Sequence, residues 1–296
     1  MANRIFYGCL GIAPCNGSPI QGVKSVGLSS TRSINTIFSP GNQNPAGTYP
    51  DLADIEVSYV KYLEQENNSF SNEAGLNGYT GFVLLAGDDT AKCLGGKGGI
   101  STISFGELLL SSVTYNMSVD GPFTVERKYN GFSSGDSCSY SSLGVFSNCN
   151  NQVSGNIKRR GCLNITSLPS EVSGGIIQSI SINVKINRQF LNEFASLKPY
   201  ASYISFPIET SCTFEIIAKS LSSVNFPKPV ACVNPTASQT TIGVAGLTIT
   251  KASLTGLTYS GAEAQTGGTN LVISATYTSN ETPAGITSPF IILNQL

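Results

Sequence analysis

The feature that most constrains this chain is a series of alternating polar and apolar runs that occurs twice in the same order. Residues 23–35, V-K-S-V-G-L-S-S-T-R-S-I-N, lead through a connector holding Tyr49 and Pro50 into A-D-I-E-V-S-Y-V-K-Y-L-E at 53–64. Residues 178–190, Q-S-I-S-I-N-V-K-I-N-R-Q-F, lead through Pro199, Tyr200, Tyr203, Phe206 and Pro207 into E-T-S-C-T-F-E-I-I-A-K-S at 209–220. The later segments 107–120 and 247–263 also correspond, with Val113-Thr114-Tyr115 laid over Leu257-Thr258-Tyr259. F-T-V-E-R-K-Y at 123–129 then answers N-L-V-I-S-A-T-Y at 270–277. Alternation with period two fits a strand with one wet and one packed face. A repeated order of such strands marks a duplicated unit. The expectation is a mainly β protein of two tandem domains, 1–150 and 151–296, joined within the Ser/Asn/Gly-rich stretch from Phe132 to about Gly175.

Composition agrees with strands and turns. Only 12% of residues are charged and 31 are glycine, while 40% are hydrophobic, which is too many for a disordered chain. The long connectors at 36–53 and 65–81 read as loops that reach an adjacent ring or subunit, because loops of this length are usually functional or disordered. Helical signal is confined to Asn187–Phe194. There Asn187 is a possible N-cap, Phe190, Leu191 and Phe194 share one helical face, and Pro199 closes the turn.

Histidine is absent, which removes Ser-His-Asp and Cys-His nucleophile systems, imidazole acid–base groups and histidine-ligated metals. The run L-G-G-K-G-G-I-S-T at 94–102 has Gly98 where a phosphate loop needs Ser or Thr after its lysine, so a hairpin loop is the better reading. Adjacent acids such as Asp88 and Asp89, or Asp51 and Asp54, lack any tryptophan on which a sugar would stack. The chain is therefore expected to be no enzyme and to hold no cofactor or metal.

Eight cysteines at irregular spacings, with no C-x-x-C, give no zinc template. Synthesis in a cytosol favours free thiols packed as small hydrophobes over disulfides; Cys138 and Cys149, flanking a Ser/Asn-rich loop, are the first pair to test. The N-terminal stretch lacks the apolar core of a secretion signal, and no run of about 18 apolar residues occurs, so no membrane association is expected. A formal net charge of −1 offers no surplus of cations for phosphates. The cluster Lys158-Arg159-Arg160 reads as a solvated loop or a subunit contact.

Several of these segments resemble a known family. V-K-S-V-G-L-S-S-T-R-S-I-N-T-I-F-S-P-G followed by D-L-A-D-I-E-V-S-Y-V-K-Y-L-E is similar to the opening of a group of bacteriophage tail tube proteins. S-S-V-T-Y-N-M-S-V-D-G-P-F-T-V-E-R-K-Y-N-G-F resembles a later segment of that family. I-S-I-N-V-K-I-N-R-Q-F-L-N-E-F, through K-P-Y-A-S-Y-I-S-F-P-I-E to T-S-C-T-F-E-I, resembles its second domain. Together these segments are distributed between residues 23 and 216, and none is a catalytic fingerprint.

The resemblance implies two tandem β-sandwich domains with short helices, whose strands join those of neighbours in an intersubunit β-barrel. It implies a virion tail protein, made in the host bacterial cytoplasm, that self-assembles into stacked rings through which DNA passes during ejection without specific binding. Six such domains form a ring in tubes of this type, so three two-domain chains would complete one; a hexamer with the second domain outside is the departure from that scheme. Other tail proteins, such as a tape measure, a terminator and a baseplate or hub, would be its partners. A terminator, hub or decoration protein is the alternative identity. Within this reading Asp54, Glu56 and Ser58 would face the lumen, where a slightly negative polar wall lets DNA slide, the alternative being an ordinary outer solvent face. Tyr49, Phe190, Leu191, Phe194, Tyr200 and Tyr203 would contact neighbouring subunits.

Overall fold

The computed structural model describes residues 11–14, 20, 22–38, 40–41, 44–51, 53–63, 79–87, 100–132, 157–194, 199, 201–219, 239–244, 247–261, 271–281 and 293–294. Within these residues the chain is mainly β, with helical structure reduced to a single turn, α1 (Ser170–Ser173), and a 3-10 turn at Arg160–Cys162. The first half contributes β1 (Gly11–Pro14), β2 (Val23–Thr31), β3 (Ile34–Phe38), β4 (Pro45–Pro50), β5 (Asp54–Tyr62), β6 (Tyr79–Gly87), β7 (Ile100–Ser118) and β8 (Thr124–Phe132). The second half contributes β9 (Ile165–Ser167), β10 (Gly175–Leu191), β11 (Ala201–Ala218), β12 (Thr240–Val244), β13 (Leu247–Ser260), β14 (Val272–Ser279) and β15 (Leu293–Asn294).

Eight of these strands lie side by side in the order β2-β5-β8-β7-β10-β11-β14-β13, every neighbouring pair antiparallel. The sheet continues through β12 and β9 at one end, while β6 and β1 branch from the first part of β7. In each half the third long strand therefore pairs first with the strand before it in sequence (β6 or β12) and then with the strand after it (β8 or β14).

The two halves repeat one topology, and two of its irregularities recur at matching places. The first half runs β2-β5-β8-β7 and the second β10-β11-β14-β13, and β1 pairs β6 as β9 pairs β12. A bulge in β2 leaves Lys24 out of register with β5, and Gln178 is left out at the matching place in β10. A second bulge leaves Ser111 unpaired in β7 and Thr255 in β13. The Ser111 hydroxyl donates to the Lys128 carbonyl at 3.0 Å, and the Thr255 hydroxyl to the Thr276 carbonyl at 3.2 Å. A bulge costs a ladder bond and sets a local twist, so its recurrence at matched positions, with a matched side-chain bond, fixes the equivalence residue by residue. By this register Val113, Thr114 and Tyr115 correspond to Leu257, Thr258 and Tyr259.

The core follows the same repeat. Alternate residues of the long strands face inward: Ile55, Val57 and Tyr59; Val113, Tyr115 and Met117; Ile180, Ile182, Val184 and Ile186; Cys212, Phe214 and Ile216. The buried pair Tyr59–Tyr129 in the first half, 6.1 Å between ring centroids, is matched in the second by Phe214–Tyr277, also 6.1 Å. Ile12, Val172, Ile242, Val244, Leu247 and Ile249 complete the same buried cluster, so the short strands and α1 cover the inner face of the sheet.

Two expectations are corrected here. Asn187–Phe194 forms no helix: β10 runs on to Leu191, with Asn187 opposite Ser205 and Leu191 opposite Ala201. The cross-strand ladder satisfies backbone groups that a lone helical turn would leave open. Phe190 and Leu191 consequently face opposite sides of a strand, and Phe194 lies in the turn beyond it. The connector 36–53 is no loop either. It holds most of β3 and all of β4, a hairpin of its own in which Asn35 faces Tyr49 and Thr36 faces Thr48. Residues 65–78 of the second connector lie outside the described residues, and its last three residues begin β6.

Candidate functional site

The side of the sheet opposite the core carries an unusual surface. Because directly opposed residues in antiparallel strands share a face, the registers assign its members in order. From β2 come Ser25, Gly27, Ser29 and Thr31; from β5, Asp54, Glu56, Ser58 and Val60. From β8 come Glu126, Lys128 and Asn130, and from β7, Ser112, Thr114 and Asn116. Ser179, Ser181, Asn183 and Lys185 follow on β10, then Glu209, Ser211, Thr213 and Glu215 on β11. Ser274, Thr276 and Thr278 on β14, with Ser253, Gly256, Thr258 and Ser260 on β13, complete it. Across eight strands hydroxyls and amides predominate on this face, interspersed with seven charged side chains and Val60, and the same registers bring Tyr62, Leu109, Ile217 and Val272 to its margins.

The hydroxyls and amides bond to one another across the strands. Ser181 donates to the Asn116 carbonyl oxygen at 3.0 Å, and Thr114 to that of Asn183 at 3.4 Å. Ser111 reaches Asn130 at 3.2 Å, Thr213 and Thr276 lie 3.1 Å apart, and Ser179 donates to the Glu215 carboxylate at 2.6 Å. Of the charges assigned to this face, five are acidic (Asp54, Glu56, Glu126, Glu209, Glu215) and two are lysines. Each lysine lies beside an acid, Lys128 at 3.8 Å from Glu126 and Lys185 at 3.7 Å from Glu209. The surface is weakly negative, and its cations are screened by neighbours.

Both long edges of the eight-strand array are open among the described residues. β2 pairs only with β5, and the Ser253–Ser260 portion of β13 pairs only with β14. Apolar side chains sit on these edges: Leu28 is 40% exposed and Tyr259 37%. In addition, two hairpin arms run beyond the sheet. The first, β3–β4, exposes Ile34, Ile37, Phe38 and Tyr49. The second is the outer part of β10 and β11 with β15 alongside, and it exposes Leu191, Phe194, Tyr203 and Phe206. Arg188 anchors its base by donating to the Leu110 carbonyl of β7 at 3.0 Å.

Asp54, Glu56 and Ser58 do share the polar face, the first two exposed and the third half-buried. Of the residues expected at subunit contacts, Tyr49, Leu191, Phe194 and Tyr203 are exposed on the arms, Phe190 is half-buried, and Tyr200 lies outside the described residues. The Tyr203 hydroxyl donates to Gln189 within its own arm. Sequence reading missed the polar residues of the other seven strands, although S-I-S-I-N-V-K at 179–185 places a polar residue at every second position. It also missed Leu28, Leu257 and Tyr259 as edge residues, since strand order is a property of tertiary pairing.

Cys138, Cys149, Asp88, Asp89 and most of the glycine run lie outside the described residues. Of the cysteines described, Cys212 is free and buried, with its thiol pushed up to about 12 by desolvation, whereas Cys162 is free but exposed. Among the described residues no group of three Cys, Asp or Glu side chains gathers into a metal site, and no helix is long and apolar enough to cross a membrane. Lys158 joins the sheet through its backbone, donating to Leu63 and accepting from Phe123. Compared with protein-family models and with curated proteins, the chain matches none.

Proposed function

We propose that this protein is a bacteriophage tail tube subunit, three copies of which close edge to edge into a ring whose inner wall is the polar face and whose stacked rings conduct DNA. The observation that carries this reading is the weakly negative, hydroxyl-lined face that spans eight strands between two open edges. An open edge is a template for strand addition, and closure into a barrel removes it. Hydroxyls and amides bonded among themselves present little for a phosphate backbone to grip, and the unbalanced carboxylates repel it.

The dimensions agree. Three chains of eight strands, spaced about 4.8 Å and tilted about 40°, close into a ring roughly 50 Å across at the backbone. Side chains reduce the bore to roughly 35–40 Å, wider than a DNA double helix. Two chains would leave roughly 20 Å, too tight for hydrated duplex. In the same reading the short strands that cover the core form the outer layer of two fused β-sandwiches. The exposed apolar arms reach the next ring along the tube. The protein works by assembly, with no catalytic chemistry, and resides in the virion tail.

Electron microscopy of the purified protein tests this. Hollow filaments or stacked rings of three chains are expected. A discrete oligomer that never polymerises would replace this reading with a terminator, hub or decoration protein.

A further inference from the structure

The chain contains one completed copy of the contact that its open edges could make. β7 and β10, the last sheet strand of the first half and the first of the second, pair antiparallel with Val113 opposite Val184, Tyr115 opposite Ile182 and Met117 opposite Ile180. All six side chains are buried. β13 is the equivalent of β7 and β2 the equivalent of β10, as the shared bulges establish. Transferring the register places Leu257 opposite Ser30, Tyr259 opposite Leu28, and Gly261 opposite Val26 of a second copy. On the polar face it places Thr258 opposite Ser29, where the internal seam has the bonded pair Thr114 and Asn183.

We infer that β13 of one chain pairs with β2 of a second copy in this register, and that the intermolecular seam is a deliberately weakened version of the internal one. This rests on the proposed tube function and deepens it. The apolar centre is retained, with Tyr259 and Leu28 in place of Tyr115 and Ile182. Its flanks are pared down: Ser30 stands where the internal seam has Val184, and Gly261 where it has Met117. A side chain that fills the internal seam on each flank is thus absent from the external one. An open, long and fully apolar edge is an aggregation hazard. Thinning its flanks lets free chains remain apart until ring closure makes all seams at once. The internal seam, being within one chain, needs no such restraint.

Two measurements on the full chain test this. First, restoring the internal residue by Ser30→Val should lower the concentration at which chains associate on the order of tenfold, read by mass photometry, since one more apolar side chain is buried per seam; Leu28→Asp should raise that concentration by more than tenfold. Both variants should keep the wild-type far-ultraviolet circular dichroism. Unchanged association in both would overturn the weakened seam. Second, Leu28→Cys with Tyr259→Cys should give intermolecular disulfides on mild oxidation, whereas Val26→Cys with Leu257→Cys, two pairs out of register, should give no more than the single-cysteine controls. Tubes that cross-link only in the offset pair would overturn the register and leave the tube reading standing. Cross-linked closed rings that never stack would support the register and remove the tube.

Discussion

At the scale of single residues, the duplicated halves show which positions the fold requires and which it leaves free. Tyr129 and Tyr277 occupy the same place, as do Tyr59 and Phe214, so an aromatic pair is kept while its polar atoms vary. In the first half Arg127 lies buried beside that pair, its guanidinium donating to the Tyr59 hydroxyl at 3.0 Å; the second half has Ala275 there. Cys212, which takes the place of Val57, adds a titration to the core. Its thiol is held near 12 when folded against an ordinary value near 9. Below pH 9 both states keep the proton and the full stability is present. Between 9 and 12 only the unfolded chain releases it, so stability falls as pH rises, by up to about 1.4 kcal/mol per pH unit. Burial and the Glu171 carboxylate raise the Tyr277 hydroxyl too, which deepens the loss above pH 10. The urea midpoint should therefore be lower at pH 10.5 than at pH 8, and Cys212→Val should make that fall shallower.

At the scale of elements, the two arms are the parts that the sheet does not need. Every residue of β4 is exposed, and among the described residues β3 pairs with nothing but β4. Replacing residues 34–50 with a short Asn-Gly turn should leave the thermal midpoint within a few degrees of wild type, because almost no buried apolar area is lost. The same variant should form rings that fail to stack, which negative-stain images and sedimentation would show. The long strands were legible in the sequence because period-two alternation registers burial on one side directly: Ile55, Val57 and Tyr59 inward, Asp54 and Glu56 outward. So was their succession along the chain, though not their order in the sheet. The arms were not, since β3 and β4 have no buried face to impose a pattern, and Phe190, Leu191 and Phe194 happen to have a helical spacing. The polar face was legible only in part. Asp54, Glu56 and Ser58 stand out on their own strand, but the surface they belong to comes from strands up to about 250 residues apart in sequence, which only pairing brings together.

At the scale of the whole molecule, the polar face would determine how the proposed tube treats DNA. Five carboxylates against two paired lysines give each chain a modest negative wall. Duplex fragments should pass over assembled tubes without being retained at any ionic strength. In tubes carrying Glu56→Lys, Glu209→Lys and Glu215→Lys the same fragments should be held at low salt and released steeply as salt is raised, as counterion release requires. A filter-retention assay across a salt series would measure both. Retention by the unaltered tubes would count against a sliding surface.

The unbroken pairing of β7 with β10 has one more consequence. In the proposed ring, six separate modules would need five associations in solution, each with its own loss of translational freedom. Covalent fusion would leave two, because three of the six seams are closed within chains, independent of how dilute the subunit is. On that reading the duplication is a kinetic device: nucleation would fall from a six-body problem to a three-body one, and incomplete arcs would have fewer ways to arise.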